Sequence, residues 1–204
     1  MGHIVSAARQ CSLVDEVVVV CDGSTDNTAA RAQGEGARVV RLSPNRGKGG
    51  AMLAGFLDTN AEVVLFLDAD LLGLTAAHVD ALLRPILDGE VASTLGVFGS
   101  GRIWTDLAQR IAPFLSGQRG VTRKVLSGAP NFAATGWGVE IALTRYLRDA
   151  HIAVRTVELR DVTQVMKEEK LGFLRGLASR LRMYWHILRA LMSVRGRSRC
   201  RYPR

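Results

Sequence analysis

Short apolar runs and helix-spaced apolar residues alternate along the first hundred residues of the chain. The runs are typical of buried β-strands and fall at residues 16–20, 37–42, 62–67 and 91–99. Apolar residues at helical spacing predict helices over residues 3–10, from about 26, over 48–58 and over 75–87. Because strands separated by helices form parallel sheets covered on both faces, the pattern indicates an α/β fold with a mainly parallel sheet flanked by helices.

The pattern is more varied beyond residue 100. It predicts a helix near 104–115, a loop over 116–126, a helix ending near 148 and a strand over 152–159. From residue 174, apolar side chains recur every three or four positions, which indicates an amphipathic basic helix over 171–193. We therefore expect one domain over residues 1–170, this helix, and a disordered arginine-rich tail over 194–204.

The positive charge of the protein is concentrated at its carboxyl end. The net charge is +8, and residues 171–204 contain nine arginines and no acidic residue. The amphipathic helix among them is able to pack on its own domain, to pair with a second copy in a homodimer, or to lie on an anionic membrane surface. Nucleic acid is not an expected partner, because the basic segment carries no recognition module.

Composition favours a cytoplasmic protein. Hydrophobic residues make up 48% of the chain, but no run approaches the roughly 18 apolar residues of a membrane span, and the first residues lack the layout of a secretory signal. The three cysteines have no CxxC spacing, so neither a disulfide framework nor a zinc site is predicted. We expect a cytoplasmic location, with peripheral contact to the inner face of the cell membrane as the alternative role of the basic helix.

Polar or glycine-rich sequence follows each of the first three predicted strands. Ligands of open α/β sheets bind beyond the carboxyl ends of the strands, so these segments form the candidate site. The first segment reads CDGSTDNT, in which Asp22 ends a strand and Ser24 and its neighbours are able to cap the next helix. A strand-to-helix turn explains the cap but does not require Asp22, which favours a binding role for that carboxylate.

The second segment, NRGKGGA, places Gly49 and two other glycines around Lys48 at the start of a predicted helix. Exposed backbone N–H groups, the positive helix end and the Lys48 ammonium suit a phosphate group. The GxxxxGK[ST] spacing of a Walker loop is absent, so this segment alone is equally compatible with an ordinary loop.

The third segment, VLFLDAD, ends an apolar run with Asp68 and Asp70. Side chains at positions i and i+2 of an extended segment point the same way, so both carboxylates are able to address one centre. Oxygen ligands suit Mg²⁺ or Mn²⁺, and such a metal completes its shell with water and phosphate oxygens. A solvated turn is the alternative, but carboxylates that directly follow a buried apolar run favour a cation site.

The three segments, in this order and spacing, resemble the nucleotide-sugar-binding half of family-2 glycosyltransferases. The later segments LSGQRGVTRKVL, GWGVEIAL and VMKEEKLGF are similar to those of the bacterial glucosyl-3-phosphoglycerate synthase group. The resemblance covers about residues 4–192. It implies a Rossmann-like GT-A fold and transfer of a sugar from a nucleotide-sugar.

The resemblance also implies a role for each matching residue. Donor contacts fall on Asp22, Ser24, Lys48, Gly49 and Asp68, and acceptor contacts fall on Gly117, Gln118 and Arg119. Asp70 is implied as the catalytic metal ligand that helps the nucleoside diphosphate to leave, with Gln164 as a second ligand. Glu140 is implied as the catalytic carboxylate that orients or deprotonates the acceptor hydroxyl, although a glutamate at a helix start also suits the helix dipole.

The chain departs from the family pattern in two places. Related enzymes often carry a histidine metal ligand where this chain has Gln164, whose carbonyl oxygen is a weaker ligand than imidazole. Related enzymes also open with a strand that precedes the helix at 3–10 and lies between the strands at 16–20 and 62–67. We expect a start assigned too late rather than loss of this strand, because the remaining motifs are intact.

The sequence predicts a metal-dependent glycosyltransferase that moves a sugar, most simply glucose, from a UDP-sugar to a hydroxyl acceptor. A small anionic acceptor such as a phosphoglycerate suits Arg119, Arg123 and Lys124, and a lipid-phosphate acceptor suits the basic helix. A sugar-1-phosphate nucleotidyltransferase shares the fold type and metal aspartates, but its glycine-rich signature belongs at the first strand, so DGSTDNT favours glycosyl transfer. The third reading is a truncated, non-catalytic relative that binds a nucleotide-sugar.

Overall fold

Strands and helices alternate along the first hundred residues, as the apolar pattern predicts. A computed structural model describes residues 1–24, 27–99, 116–129 and 138–164. The described helices are α1 Gly2–Arg9, α2 Thr28–Gly34, α3 Gly47–Leu57, α4 Ala76–Leu87, α5 Arg123–Ser127 and α6 Val139–Asp149. The described strands are β1 Val18–Asp22, β2 Arg38–Leu42, β3 Val63–Phe66, β4 Leu71–Leu72, β5 Ser93–Phe98, β6 Arg119–Thr122, β7 Val154–Leu159 and β8 Thr163–Gln164. The predicted α/β class is therefore confirmed.

A strand that the sequence did not predict, β6, lies inside the largest described sheet, between β3 and β5. It is antiparallel to both, with Phe66 opposite Arg119 and Thr94 opposite Gly120, while β7 joins the other edge of β5 in parallel. Because β3 and β5 both run opposite to β6, the strands β3, β5 and β7 point in one direction. The predicted strands of this sheet are thus parallel to one another, but the sheet is mixed because β6 separates two of them.

The loop predicted over residues 116–126 is wrong, since β6 and α5 occupy most of it. The strand sequence RGVT has one large apolar residue, Val121, and therefore shows no strand period. The strand forms because pairing on both edges satisfies its backbone and because Val121 is fully buried. Gly120 is required at this crowded place, since a Cβ there would lie 2.6 Å from Thr94 Oγ1.

Two smaller sheets complete the described strands. β1 pairs with β2 in parallel, and β4 pairs with β8 so that Leu71 lies opposite Gln164. β1 and β3 belong to separate sheets, and no described strand lies between them. The strand that family relatives would place there stays a prediction.

Helix α1 contributes to two hydrophobic clusters on neighbouring parts of the fold. Ile4, Ala7 and Cys11 pack in the cluster that includes Leu71 and the partly buried side chains of β3. Val5, one position along the helix from Ile4, packs in the cluster of β1 and α2. The i, i+3 spacing of Ile4 and Ala7 on one side of the helix, with Cys11 in the same cluster just beyond its end, explains why the sequence predicts α1 so clearly.

Several predicted segments lie outside the described residues. They are the helix at 104–115, the amphipathic helix at 171–193 and the tail at 194–204. The described residues all belong to one compact unit, Met1–Val165, and the predicted domain boundary at residue 170 stays a prediction. Within that part of the chain, no helix combines the length and the hydropathy that crossing a membrane requires.

Candidate functional site

The carboxylate of Asp68 lies at the centre of the candidate site. Asp68 follows the last residue of β3 by two positions, and Lys48 Nζ lies 2.7 Å from its Oδ1. Lys48 stands in the first turn of α3. The structure thus joins the second and third polar segments of the sequence through one ion pair.

Lys48 also forms an ion pair with Oε1 of Glu140, in the first turn of α6. The side chains of Asp68 and Glu140 are only 18% and 11% exposed. Burial disfavours the ammonium, but the two carboxylates outweigh this effect and raise the pKa of Lys48 above its ordinary 10.5. The implied catalytic carboxylate therefore meets the implied donor residues around one cation.

Two glutamine amides bind the other oxygen of Asp68. Gln118 Nε2 lies 2.9 Å and Gln164 Nε2 lies 2.8 Å from Oδ2. Gln118 directly precedes β6 and is fully buried, whereas Gln164 belongs to β8 and is half-buried. A carboxylate only accepts hydrogen bonds, so both amides turn their nitrogen toward Asp68 and their oxygen away from it.

Gly117 lies directly against the Asp68 carboxylate. A Cβ at this position would be 2.6 Å from Oδ1 of Asp68, closer than real Cβ atoms approach an oxygen. The implied acceptor residues Gly117 and Gln118 therefore adjoin an implied donor residue. Acceptor contact by either of them stays a prediction.

Asp22 fastens the end of β1 to the loop before α3. Its Oδ1 accepts the Arg46 backbone N–H at 2.6 Å, and its carbonyl oxygen accepts from Asn45 Nδ2 at 2.6 Å. This brings the first and second polar segments side by side. Ser24 is exposed, and Gly49 is buried within α3.

Asp70 lies in the turn between β3 and β4 and is half-buried. Because β4 starts at the next residue and pairs with β8, Asp70 and Gln164 come from neighbouring positions of one strand pair. In the part of the chain that the structure describes, no group of three or more His, Cys, Asp or Glu side chains is arranged to hold a metal alone. Mg²⁺ needs only one or two carboxylates where phosphate and water complete its shell, so these oxygen donors fit a cation that arrives with a phosphate ligand.

Arg119 is a buried cation at the start of β6. It is 3% exposed, and its guanidinium donates to Thr144 Oγ1 of α6 at 2.7 Å. Burial lowers the pKa of Arg119 to about 10, while the charge of Glu140 acts in the opposite direction. Arg119 is therefore charged at neutral pH.

Arg123 is held by backbone carbonyl groups and an aromatic ring of the fold. Its guanidinium donates to the carbonyl oxygens of Ala61, Phe56 and Thr59 and lies 4.6 Å above the Phe56 ring. Its Nε and Nη2 donors are thus used by the backbone, and contact between Arg123 and an anionic acceptor stays a prediction. Lys124, the next residue, is exposed on α5.

Two residues around the site, Ser116 and His3, make contacts that had no signal in the sequence. Ser116 Oγ lies 2.7 Å from Gln118 Oε1 and 2.5 Å from the carbonyl oxygen of Gly96. His3 Nε2 lies 2.6 Å from the carbonyl oxygen of Leu71, next to Asp70. The His3 contact joins residues 68 positions apart, so only the folded chain brings them together.

Comparison with known proteins decides the family. Residues 3–138 match the model of Glycosyl transferase family 2. The chain belongs to this family. The recognition made from its three polar segments is therefore confirmed.

Sequence relatives of this family-2 chain act on glucose. It is 32% identical over 167 residues to the glucosyl-3-phosphoglycerate synthase of Mycobacterium tuberculosis (strain CDC 1551 / Oshkosh), a match that covers 64% of the chain and 51% of the relative. It is 43% identical over 90 residues to the dolichyl-phosphate beta-glucosyltransferase of Saccharomyces cerevisiae, covering 39% of the chain and 26% of the relative. The chain thus spans about half the length of the synthases it matches.

Solved structures of the mycobacterial synthase share the fold. One, in complex with phosphoglyceric acid, has a TM-score of 0.67 at 28% identity and covers 80% of this chain and 66% of that one. Another, with Mn²⁺, UDP-glucose and phosphoglyceric acid, has a TM-score of 0.66 at 30% identity over the same shares. The GT-A fold predicted for the family-2 chain is therefore confirmed.

Proposed function

We propose that this chain carries the active site of a glycosyltransferase that moves glucose from UDP-glucose to a hydroxyl group of a phosphate-bearing acceptor, with Mg²⁺ or Mn²⁺ as the cation. The observation that carries the proposal is that Lys48 forms ion pairs with both Asp68 and Glu140 in a family-2 chain. Solved relatives bound to Mn²⁺, UDP-glucose and phosphoglyceric acid support the choice of ligands.

The donor site in this proposal is formed by Asp22, Lys48 and Asp68. Asp22 and Asp68 lie at the ends of β1 and β3, where ligands of α/β sheets bind. Lys48 supplies a positive charge at a helix start, which suits an anionic phosphate. Ser24 and Gly49 complete the implied donor contacts.

Asp70 and the Oε1 atom of Gln164 would hold the cation. Carboxylate and amide oxygens are the ligands that Mg²⁺ and Mn²⁺ prefer. When bound, the cation neutralises charge on the diphosphate as it leaves. The chain contributes the placement of these two oxygens beside β4 and β8.

Glu140 is the residue that we assign to the acceptor hydroxyl. In the reaction, the acceptor oxygen forms a bond to the anomeric carbon while the bond from that carbon to the diphosphate breaks, and the hydroxyl proton needs an acceptor. Lys48 contacts Oε1 of Glu140, so Oε2 is the oxygen assigned to the hydroxyl. Its low exposure keeps bulk water from competing for the proton.

Arg119 is the residue that we assign to the acceptor anion. It is buried and charged beside Glu140, and guanidinium binds phosphate and carboxylate through paired hydrogen bonds. A phosphoglycerate and a lipid phosphate share this anionic group, but they differ in the attacking atom, which would be a hydroxyl oxygen in the phosphoglycerate and a phosphate oxygen in the lipid phosphate. The two classes of relative, one acting on phosphoglycerate and one on dolichyl phosphate, support these as the acceptors to test.

Calorimetry tests the donor assignment first. UDP and UDP-glucose are titrated into the chain with and without Mn²⁺, and we expect binding that Mn²⁺ strengthens. A parallel titration with a chain extended at its amino end tests whether an additional strand improves that binding. Absence of UDP binding in both forms would contradict the donor site.

The acceptor is then identified by transfer of labelled glucose to 3-phosphoglycerate or to a short polyprenyl phosphate in detergent. Transfer to one of the two assigns the acceptor class. Formation of UDP-glucose from UTP and glucose 1-phosphate would instead indicate a nucleotidyltransferase.

A further inference from the structure

We propose that Gln118 is a positioning residue that acts through Asp68. With Gln164 it forms an amide clamp, defined here as the two Nε2 groups that bind Oδ2 of Asp68. The inference rests on the proposed function in one respect, namely that Asp68 belongs to the donor site. It assigns Gln118 to support of that carboxylate and not to contact with the acceptor.

The burial of Gln118 argues against direct contact with a ligand. Its side chain has no exposed surface, and both of its polar ends are occupied. Nε2 donates to Asp68 Oδ2 at 2.9 Å, and Oε1 accepts from Ser116 Oγ at 2.7 Å. A ligand would have to displace one of these hydrogen bonds to reach the amide.

The orientation of the Gln118 amide is determined by Asp68. As a carboxylate, Asp68 only accepts hydrogen bonds, so it selects the nitrogen of the amide. Turning the amide over would place its oxygen against the carboxylate. At the other end of the amide, the Ser116 hydroxyl shares its one proton between Gln118 Oε1 at 2.7 Å and the carbonyl oxygen of Gly96 on β5 at 2.5 Å.

The position of Gln118 follows from the direction of β6. Because β6 is antiparallel to β3, its amino end lies at the same sheet edge as the carboxyl end of β3. Gln118 stands at the first of these ends, and Asp68 follows the second. Gln164 reaches the same oxygen from β8, so residues of two other strand segments hold the carboxylate that follows β3.

The clamp divides the two oxygens of Asp68 between two functions. Oδ2 is bound by two neutral amides, whereas Oδ1 is bound by the Lys48 ammonium. The amides keep the carboxylate plane fixed when the partner of Oδ1 changes. Asp68 Oδ2 also holds Gln164, the proposed cation ligand, and groups that orient metal ligands typically change cation affinity by about tenfold or more when they are removed.

A stability cycle tests the clamp without any ligand. Q118M keeps the length of the side chain but removes its hydrogen bonds, and D68A removes the acceptor. In the wild-type background, we expect Q118M to lower the urea midpoint of unfolding. In the D68A background, the Gln118 amide has already lost its partner, so we expect Q118M to leave the urea midpoint unchanged or to raise it. An equal loss in both backgrounds would mean that Gln118 only fills space, and would overturn the proposal.

A binding series then tests the functional consequence. Q118M is compared with the wild type and with T94V, which removes a different fully buried hydrogen bond, from Thr94 Oγ1 to the carbonyl oxygen of Leu82. We expect Q118M to weaken Mn²⁺ binding in the presence of UDP by about tenfold or more, and T94V to leave it unchanged. Equal effects of the two variants on Mn²⁺ affinity would overturn the positioning role.

Steady-state kinetics separate the clamp from acceptor contact. With 3-phosphoglycerate as acceptor, we expect Q118M to raise the KM for UDP-glucose and not that for the acceptor. A rise confined to the acceptor KM would overturn the proposal in favour of direct contact. If the wild type binds neither UDP nor Mn²⁺, the proposed function fails, and the urea cycle still decides whether the clamp exists.

Discussion

Lys48 Nζ lies 2.7 Å from Asp68 Oδ1, and this ion pair ties the first turn of α3 to the segment that follows β3. The same ammonium pairs with Glu140, so one cation neutralises the implied donor carboxylate and the implied catalytic carboxylate. A ligand that enters between them has to exchange with this ammonium or move together with it. In the proposed function, the pair would therefore couple donor binding to the state of Glu140.

Replacing Lys48 by methionine is expected to destabilise the chain. Without the ammonium, the mostly buried carboxylate charges of Asp68 and Glu140 lose their positive partner. Breaking a buried ion pair costs about 3–5 kcal/mol. Because the Lys48 side chain is 25% exposed, we expect a smaller loss, about 2 kcal/mol in the free energy of urea unfolding at pH 7. K48R is the control that keeps the charge, and an equal loss in both variants would show that packing and not charge is responsible.

The contribution of Lys48 to stability is expected to disappear at high pH. Its pKa in the folded chain is raised above the ordinary 10.5, so the unfolded chain releases this proton first as the pH rises. The contribution is therefore complete below about pH 10.5 and is lost as the pH passes the raised value. The difference in thermal midpoint between wild type and K48M should stay constant from pH 8 to about 9.5 and narrow near pH 11. A difference that widened with pH would contradict this assignment.

Replacing Gly117 by alanine is expected to displace the Asp68 carboxylate. The added Cβ would lie 2.6 Å from Oδ1, so either the backbone of residue 117 or the carboxylate has to shift. We expect weaker binding of UDP with Mn²⁺ by about tenfold or more, measured by calorimetry. G34A, at the end of α2 with no atom within 4 Å of the new Cβ, is the matched control and should bind as the wild type does. Normal binding by G117A would show that the carboxylate is not held in place by this close approach.

Replacing Gln164 by histidine is expected to change the cation preference. The proposed ligands are oxygens, which suit Mg²⁺ and Mn²⁺, whereas imidazole favours later transition metals such as Co²⁺. Affinities for Mg²⁺ and Co²⁺ in the presence of UDP should therefore diverge in Q164H, with Co²⁺ gaining about tenfold relative to Mg²⁺. Q164L, which offers no ligand, should weaken both cations. An unchanged ratio in Q164H would exclude residue 164 from the cation site.

Replacing Arg119 is expected to affect acceptor binding, whereas replacing Arg123 is expected to affect stability. R119M removes the buried cation assigned to the acceptor anion, and a lost charged hydrogen bond of about 1.5–3 kcal/mol raises the KM for a phosphate-bearing acceptor by roughly 10- to 100-fold. R123M removes the donor to three backbone carbonyls, so we expect a loss of about 2–3 kcal/mol in unfolding free energy with an unchanged acceptor KM. Kinetics and urea unfolding of the two variants check both expectations. An acceptor KM that rises in R123M and not in R119M would reverse the assignments.

The elements that the sequence predicts well are those in which local pattern and tertiary burial agree. The strands β1, β2, β3 and β5 are short apolar runs, and α1 and α4 repeat apolar residues at helical spacing, so each is visible in its own residues. β6 is the opposite case. Its RGVT sequence has no apolar period and becomes a strand only because β3 and β5 pair with both of its edges.

The candidate site divides in the same way. The sequence by itself singled out Asp22, Lys48 and Asp68, because charged residues at strand ends and helix starts stand out against an apolar background. Glu140, Gln118 and Gln164 were candidates only through the family resemblance. The sequence did not determine which of these residues meet. Lys48 with Glu140, and Gln118 and Gln164 with Asp68, come from residues far apart in the chain, and the two glutamines reach Asp68 because antiparallel strands carry them to the end of β3. Local periodicity shows which side chains are buried. Contact between distant polar side chains depends instead on the order and direction of the strands. That order and direction were decided only by the tertiary structure.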